Sequence, residues 1–198
     1  MMKNQKLDQD FWSEKYQSNQ TGWDIGGIST PIKEYIDQLE DKHLTILIPG
    51  AGNAYEAAYL FEQGFTNVSI VDIAKEPLDN FRKSVPDFPE NKILQEDFFS
   101  HEGSYDLIIE QTFFCALDPS LRVNYIDKMK ALLKPKGKLV GLLFDFRLSD
   151  EGPPFGGDAD AYSLAFQKRF NLKTLAPCYN SIKPRDGKEL FIIFEKTN

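Results

Sequence analysis

Short apolar runs alternate with stretches of helical periodicity from residue 45 to residue 144, and a chain patterned in this way has few ways to fold. Strands are expected at Thr45–Ile48, Asn67–Asp72, Lys92–Gln95, Tyr105–Glu110 and Lys138–Phe144, the last following a Lys136–Gly137 turn. Helices are expected at Asn53–Gln63, Glu76–Ser84 and Ser120–Leu133. Such alternation puts helices on both faces of a mostly parallel, doubly wound sheet. Beyond it, Glu151–Asp160 reads as a Gly/Pro loop and Ala161–Phe170 as a helix. Two closing strands, Leu172–Pro177 and Glu189–Glu195, flank Pro184, Asp186 and Gly187, which is hairpin chemistry and adds an antiparallel strand. Upstream, Asp8–Tyr16 and Pro31–Leu39 read as short helices around the glycine-rich Gly22–Gly27 turn. A chain of 198 residues fits one domain, residues 1–198, with residues 1–43 as an N-terminal helical cap.

The junction ILIPGAGNAYEA, Ile46–Ala57, carries most of the chemical information. Ligands of open α/β sheets lie beyond the carboxyl ends of the strands, near the switch in strand order. Gly50 and Gly52 fall at that edge, where the missing side chain admits close approach and positive φ. A tight turn of this kind needs no ligand by itself, and Asn53 with Glu56 has the spacing of a capping box. Asp72 changes the balance. It ends the second strand, where a carboxylate accepts hydrogen bonds from two ribose hydroxyls. Asp97, after the third strand, is placed to accept from an adenine amino group, with Phe98 beside the ring. Together they favour an adenosine-containing ligand.

A P-loop requires Gly-Lys-Ser/Thr, whereas Gly52 is followed by Asn53-Ala54. A dinucleotide fingerprint requires a third glycine where Tyr55 stands, and Glu56 in the first helical turn repels pyrophosphate. S-adenosylmethionine carries no phosphate and fits best. Other classes recede on composition. The net charge of −7 argues against nucleic-acid and anionic-membrane partners. The longest apolar stretches, such as Leu139–Phe144, are too short to span a bilayer, and MMKNQKLDQDFW lacks the apolar core of a signal peptide. Cys115 and Cys178 are the only cysteines, without a CxxC, so neither a disulfide framework nor a metal site is expected. The expected setting is the cytoplasm, with a small-molecule partner and no obligate protein partner.

Several segments together resemble the thiopurine methyltransferase-like superfamily, and in particular its halide/thiol (thiocyanate) methyltransferase branch. They are FWSEKYQSNQTGWDIG with Trp12, Tyr16 and Trp23, the PGAGNAYEA loop, Asp72, EDFF, YDLIIEQTFFCAL and GPPFGG at Gly152–Gly157. The likeness runs from Phe11 to the final strand. It implies a class I S-adenosylmethionine-dependent, Rossmann-like α/β fold: a seven-stranded, mostly parallel sheet with an antiparallel last strand. Carried over by position, Trp12, Tyr16 and Trp23 line the cofactor pocket and the Gly50/Gly52 loop holds the methionine portion. Asp72 takes the ribose, Asp97 with Phe98 the adenine, and Gln111 contacts the cofactor where the plant enzymes have tyrosine.

Methyl transfer from a sulfonium is an in-line displacement, so position and electrostatics do most of the work. The faces of Trp12, Tyr16, Trp23 and Phe113 suit a cation, whereas Phe11, Phe61 and Phe65 read as core. His43 and His101 read as surface residues, which leaves no conventional general base. Halides, thiocyanate and hydrosulfide are anionic, or substantially so, near neutral pH and need none. Cys115, among Phe113, Phe114 and Leu117, reads as a small hydrophobe. Phe114 and Phe155 are the expected walls of the acceptor pocket, and Asp145 and Arg147 are either polar lining or a surface pair. The expected activity is methyl transfer to a thiol, hydrosulfide, thiocyanate or halide. A bulkier aromatic thiol and a non-catalytic cofactor-binding regulator are the alternatives, with a nicotinamide oxidoreductase behind them.

Overall fold

Seven strands form one sheet in a computed structural model that describes residues 6–149 and 151–197; the first five residues of the expected cap lie outside it. The strands are β1 (Ile46–Pro49), β2 (Val68–Asp72), β3 (Ile93–Gln95), β4 (Tyr105–Gln111), β5 (Leu133–Phe144), β6 (Phe170–Pro177) and β7 (Glu189–Lys196). Their order is β3-β2-β1-β4-β5-β7-β6, and only β7 runs against its neighbours. The chain steps outward from β1 to β3, then returns to lay β4 on the other side of β1. That reversal is the switch point where α/β sheets bind ligands.

Two cores follow from the period-two alternation of strand side chains. Ile46, Ile48 and Ile70 face one layer with the helices α2 (Thr30–Asp37), α3 (Tyr55–Glu62) and α4 (Lys75–Ser84). Leu47 and Val71 face the other, with α5 (Arg122–Leu132) and α6 (Ala159–Phe166). Both β1 and β2 are buried throughout, as strands covered on both faces must be. The first helix, α1 (Gln9–Gln17), starts at Asp8, whose carboxylate accepts from the Phe11 amide at 3.2 Å, and it packs on α4.

Three local expectations are corrected. The Asn53–Glu56 capping box does not form: Ala54 caps α3 in the left-handed conformation, φ 54°, with no side-chain cap. Asn53 turns instead towards Asp24, to which its Nδ2 donates at 2.6 Å. The Lys136–Gly137 turn lies within β5, which begins five residues earlier than expected, at Leu133. Tyr105 pairs with Leu133 and Leu107 with Lys138, so residues 134–137 bulge out of the ladder, with Lys136 at φ 64°. The last helix starts at Ala159 because Asp158 caps it, accepting from the Ala161 amide at 2.8 Å.

Candidate active site

At the carboxyl end of β1 the glycine loop is shaped by what fills the space above it. Gly50 has φ +56°, and a Cβ there would stand 2.1 Å from Phe113 Cδ2. Gly52 has φ +53°, and its Cβ would stand 2.9 Å from Tyr16 Oη. The loop is therefore glycine-rich first because aromatic rings press on it. Gly50→Ala is expected to combine a left-handed backbone penalty of about 1–2 kcal/mol with displacement of the Phe113 ring. A lowered melting temperature and weakened S-adenosylhomocysteine binding would check this; an unchanged melting temperature would contradict it.

Asp72, at the end of β2, ties this loop to the next. Its Oδ2 accepts from the Gly52 amide at 2.8 Å and its Oδ1 from the Ala74 amide at 2.8 Å. Burial pushes its carboxyl up to about 6, against the opposing pull of these N–H groups. Each oxygen keeps a lone pair for a further donor.

A cavity of about 900 Å³ opens over these strand ends. Trp12, Tyr16, Trp23, Gly50, Gly52, Asp72, Asp97, Phe98 and Gln111 all line it, so the residues singled out for the cofactor converge on one site. Trp23 meets Trp12 and Tyr16 edge-to-face, with ring centroids 5.4 and 5.7 Å apart. The carboxylates of Asp8, Asp24, Glu56, Asp72, Glu96 and Asp97 outnumber the cations Lys6, Lys15 and Arg185 in the lining. Acid excess beside aromatic faces favours a cationic ligand. The segment between α1 and α2 closes one side of the cavity. Asp24 accepts from Asn53, from the Tyr55 hydroxyl at 3.2 Å and from the Gly26 amide at 2.7 Å. Arg185 Nη2 donates to the Trp23 carbonyl at 2.7 Å.

Phe113, Cys115, Leu117, Phe144, Pro153 and Pro154 form an apolar part of the lining. Gln111 accepts from the buried Ser29 hydroxyl at 3.0 Å through Oε1. Phe114 and Phe155, the expected walls, are not in the lining. Phe114 is 2 % exposed and packs on Tyr125, Tyr162 and Phe166 in the core. Phe155 sits behind Gly152, its amide donating to the Cys115 carbonyl at 2.7 Å. Of the two neighbouring rings, Phe113 and Phe114, Phe113 is the one that lines the cavity.

His101 is also corrected. It is 3 % exposed, wedged between Glu96 Oε1 at 2.5 Å and the Tyr105 hydroxyl at 2.8 Å. His43 is exposed, and so is Arg147; Asp145 is half-buried, and neither Asp145 nor Arg147 lines the cavity. Cys115 is buried, its Sγ donating to the Thr112 carbonyl at 3.4 Å, and burial pushes its thiol up. Among the described residues no cluster of three metal-ligating side chains occurs.

Two cavity residues were not anticipated as site groups. Arg185 comes from the turn before β7, far along the chain, and is 9 % exposed over the Phe144 ring at 5.6 Å. Glu56 was read as a helix cap and as an acid that repels pyrophosphate, and it is 6 % exposed and among the residues lining the cavity. Its signal was visible: an acid in the first turn of a helix whose neighbours Ala57 and Leu60 are core.

A seven-stranded sheet with an antiparallel last strand and an acidic, aromatic-walled cavity at its switch point defines a class I S-adenosylmethionine-dependent methyltransferase. The chain belongs to the thiopurine S-methyltransferase (TPMT) family, whose model matches residues 7–196. It is 28% identical over 184 residues to the probable thiol methyltransferase 2 of Arabidopsis thaliana, covering 90% of this chain and 81% of the relative. It is 26% identical over 193 residues to thiocyanate methyltransferase 1 of Brassica oleracea, covering 94% and 85%. The thiopurine S-methyltransferase of Vibrio vulnificus (strain YJ016) is 26% identical over 165 residues, covering 75% of this chain and 76% of its own. Among solved structures, a Burkholderia thailandensis 1,6-didemethyltoxoflavin-N1-methyltransferase with bound S-adenosylhomocysteine superposes with a TM-score of 0.76 at 17% identity, covering 96% and 87%. That likeness concerns the fold. No helix among the described residues is long and apolar enough to cross a membrane.

Proposed function

We propose that this methyltransferase acts on a small soft nucleophile: a thiol, hydrosulfide, thiocyanate or halide. Bound S-adenosylmethionine supplies an electrophilic methyl group on a sulfonium. Asp72 would hold the ribose, Asp97 with Phe98 the adenine, and the Gly50–Gly52 loop with Gln111 the methionine portion. The faces of Trp12, Tyr16 and Trp23 would stabilise the cation by about 0.5–2 kcal/mol each when desolvated.

One observation carries the acceptor reading. The wall formed by Phe113, Leu117, Phe144 and Pro153 is apolar, with one buried cation, Arg185, beside it. An apolar wall strips water from a polarisable nucleophile, and the guanidinium, paired with the buried Glu189 at 3.4 Å, adds a polar edge to it. The plant relatives named for thiol and thiocyanate methylation agree with this chemistry.

Calorimetric titration of the folded protein should show saturable binding of S-adenosylhomocysteine. A panel of hydrosulfide, thiocyanate, iodide and an aromatic thiol should then give turnover favouring the small acceptors. Preference for the aromatic thiol would move the protein to the thiopurine type; binding without any methylated product would make it a regulator.

A further inference from the structure

Glu56 is a buried acid in the cavity that cofactor binding, as described above, leaves without a task. It is 6 % exposed and is among the residues that line the same cavity as Phe113, Cys115 and Arg185. Among the described residues only its own backbone amide donates to its carboxylate. That amide is one of the free N–H groups of the first turn of α3, and the carboxylate keeps lone pairs beyond it for a proton.

We propose that Glu56 is the general base for neutral thiol acceptors, so that the enzyme reaches protonated thiols as well as preformed anions. The proposal rests on the reading that the cavity binds S-adenosylmethionine with a small acceptor. In the step, the acceptor S–H proton passes to a Glu56 oxygen, and the resulting thiolate forms a bond to the methyl carbon. The methyl–sulfonium bond breaks with its electron pair staying on the departing sulfur, giving S-adenosylhomocysteine and a thioether. Glu56 returns its proton to solvent as the products leave.

The surroundings fit this role. Arg185, from the turn before β7 and itself paired with the buried Glu189 at 3.4 Å, favours the carboxylate, and Asp24, from the segment between α1 and α2, opposes it. Tyr55 adjoins it on α3, and Asp72 faces the cavity from β2. The charges of α2, Lys33 and Asp37, are engaged with each other and with Tyr59, one turn further along α3. Burial wins, and pushes Glu56 up to about 7, where a base is effective at neutral pH.

The same acid acts oppositely on an acceptor that is already an anion, because its charged form repels it. The two acceptor classes therefore have opposite pH responses. With 2-mercaptoethanol, kcat/KM should rise through the Glu56 titration; with thiocyanate it should fall. Glu56→Gln imitates the protonated acid. It should cost at least 100-fold in kcat/KM for 2-mercaptoethanol, within the usual worth of a general base. For thiocyanate it should cost far less than for the thiol and abolish the fall with pH.

Calorimetry with S-adenosylhomocysteine supplies the readout that does not depend on turnover. Glu56→Gln should bind it within about twofold of the wild type. A variant that loses cofactor affinity and both acceptors alike would overturn the proposal and make Glu56 a cofactor ligand. Retained thiol activity would overturn it too, showing that the thiol enters already ionised. Should the variant not fold, the wild-type profiles decide, since parallel pH responses for the two acceptors contradict a base at Glu56. Failure of the wild type to bind S-adenosylhomocysteine is a separate result that sinks the cofactor reading itself.

Discussion

Replacing Asp72 by Ala should weaken S-adenosylhomocysteine binding by roughly 5- to 150-fold, the counterpart of about 1–3 kcal/mol for hydrogen-bond partners left unpaired. The carboxylate has two jobs that the substitution removes together. It offers lone pairs at the end of β2, and it accepts from the Gly52 and Ala74 amides, which fixes the glycine loop against β2. Asp72→Asn separates them, because one amide oxygen remains to accept while the new NH2 group faces a donor. Its affinity should fall between those of the wild type and the alanine variant. Equal affinity in all three, measured by calorimetry, would mean that the ribose lies elsewhere.

The pH dependence of Asp72 has a definite sign. Its folded value of about 6 lies above the ordinary 3.8, so the fold prefers the protonated form. Its contribution to the stability of the ligand-free protein is fully present below about 3.8 and is lost as pH rises through about 6. Binding runs the other way, since a protonated carboxyl is the poorer acceptor for ribose hydroxyls. Affinity for S-adenosylhomocysteine should therefore weaken as pH falls through about 6, and Asp72→Asn should flatten that decline.

That Gly50, Gly52, Asp72 and Asp97 meet at one cavity was legible in the sequence because each of these markers is local. Asp72 and Asp97 follow strands recognisable by their apolar runs, and the glycines follow a third. The apolar part of the lining was legible only in outline. TFFCAL does reach the cavity, but choosing between Phe113 and Phe114 required the twist of the turn after β4. Thr112 there has φ 58°, a left-handed conformation that a β-branched residue rarely adopts, and periodicity does not foretell it. Arg185 enters from a turn about 130 residues beyond Glu56 along the chain, a juxtaposition that only the β5–β7–β6 pairing creates. His101 looked like a surface residue because it lies in a polar stretch, and its burial depends on Tyr105 and Glu96 closing around it.

That strained turn explains the second large effect, at a residue that touches no substrate. Glu110, in β4, is fully buried and its Oε1 accepts from the Phe113 and Phe114 amides at 2.8 and 2.9 Å. Its Oε2 accepts from the Tyr125 hydroxyl of α5. The carboxylate thus holds the segment that puts Phe113 over Gly50 and Phe114 into the core. Glu110→Ala leaves these donors unpaired beside a new cavity and frees Thr112 to relax. Roughly 3–5 kcal/mol of stability should be lost, as for other broken buried networks, a large share of the 5–15 kcal/mol typical of a folded domain.

At about 2–4 °C per kcal/mol for a chain of this size, the melting temperature should drop by on the order of 10 °C. Glu110→Gln keeps an oxygen for the two amides, and Tyr125 can accept from its NH2 group, so it should fold. Burial pushes Glu110 up to about 7 from 4.5, so the wild type gains stability as pH falls from 8 to 5 while the glutamine variant lacks that gain. The melting-temperature difference, wild type minus Glu110→Gln, should therefore widen in favour of the wild type towards pH 5. A difference independent of pH would show that Glu110 keeps its ordinary ionisation in the fold, and a fully stable Glu110→Ala would show that the turn holds its shape unaided. With Phe113 as the proposed acceptor wall, the catalytic counterpart is a raised acceptor KM with a smaller change in S-adenosylhomocysteine affinity, because Asp72 still fixes the loop beneath it.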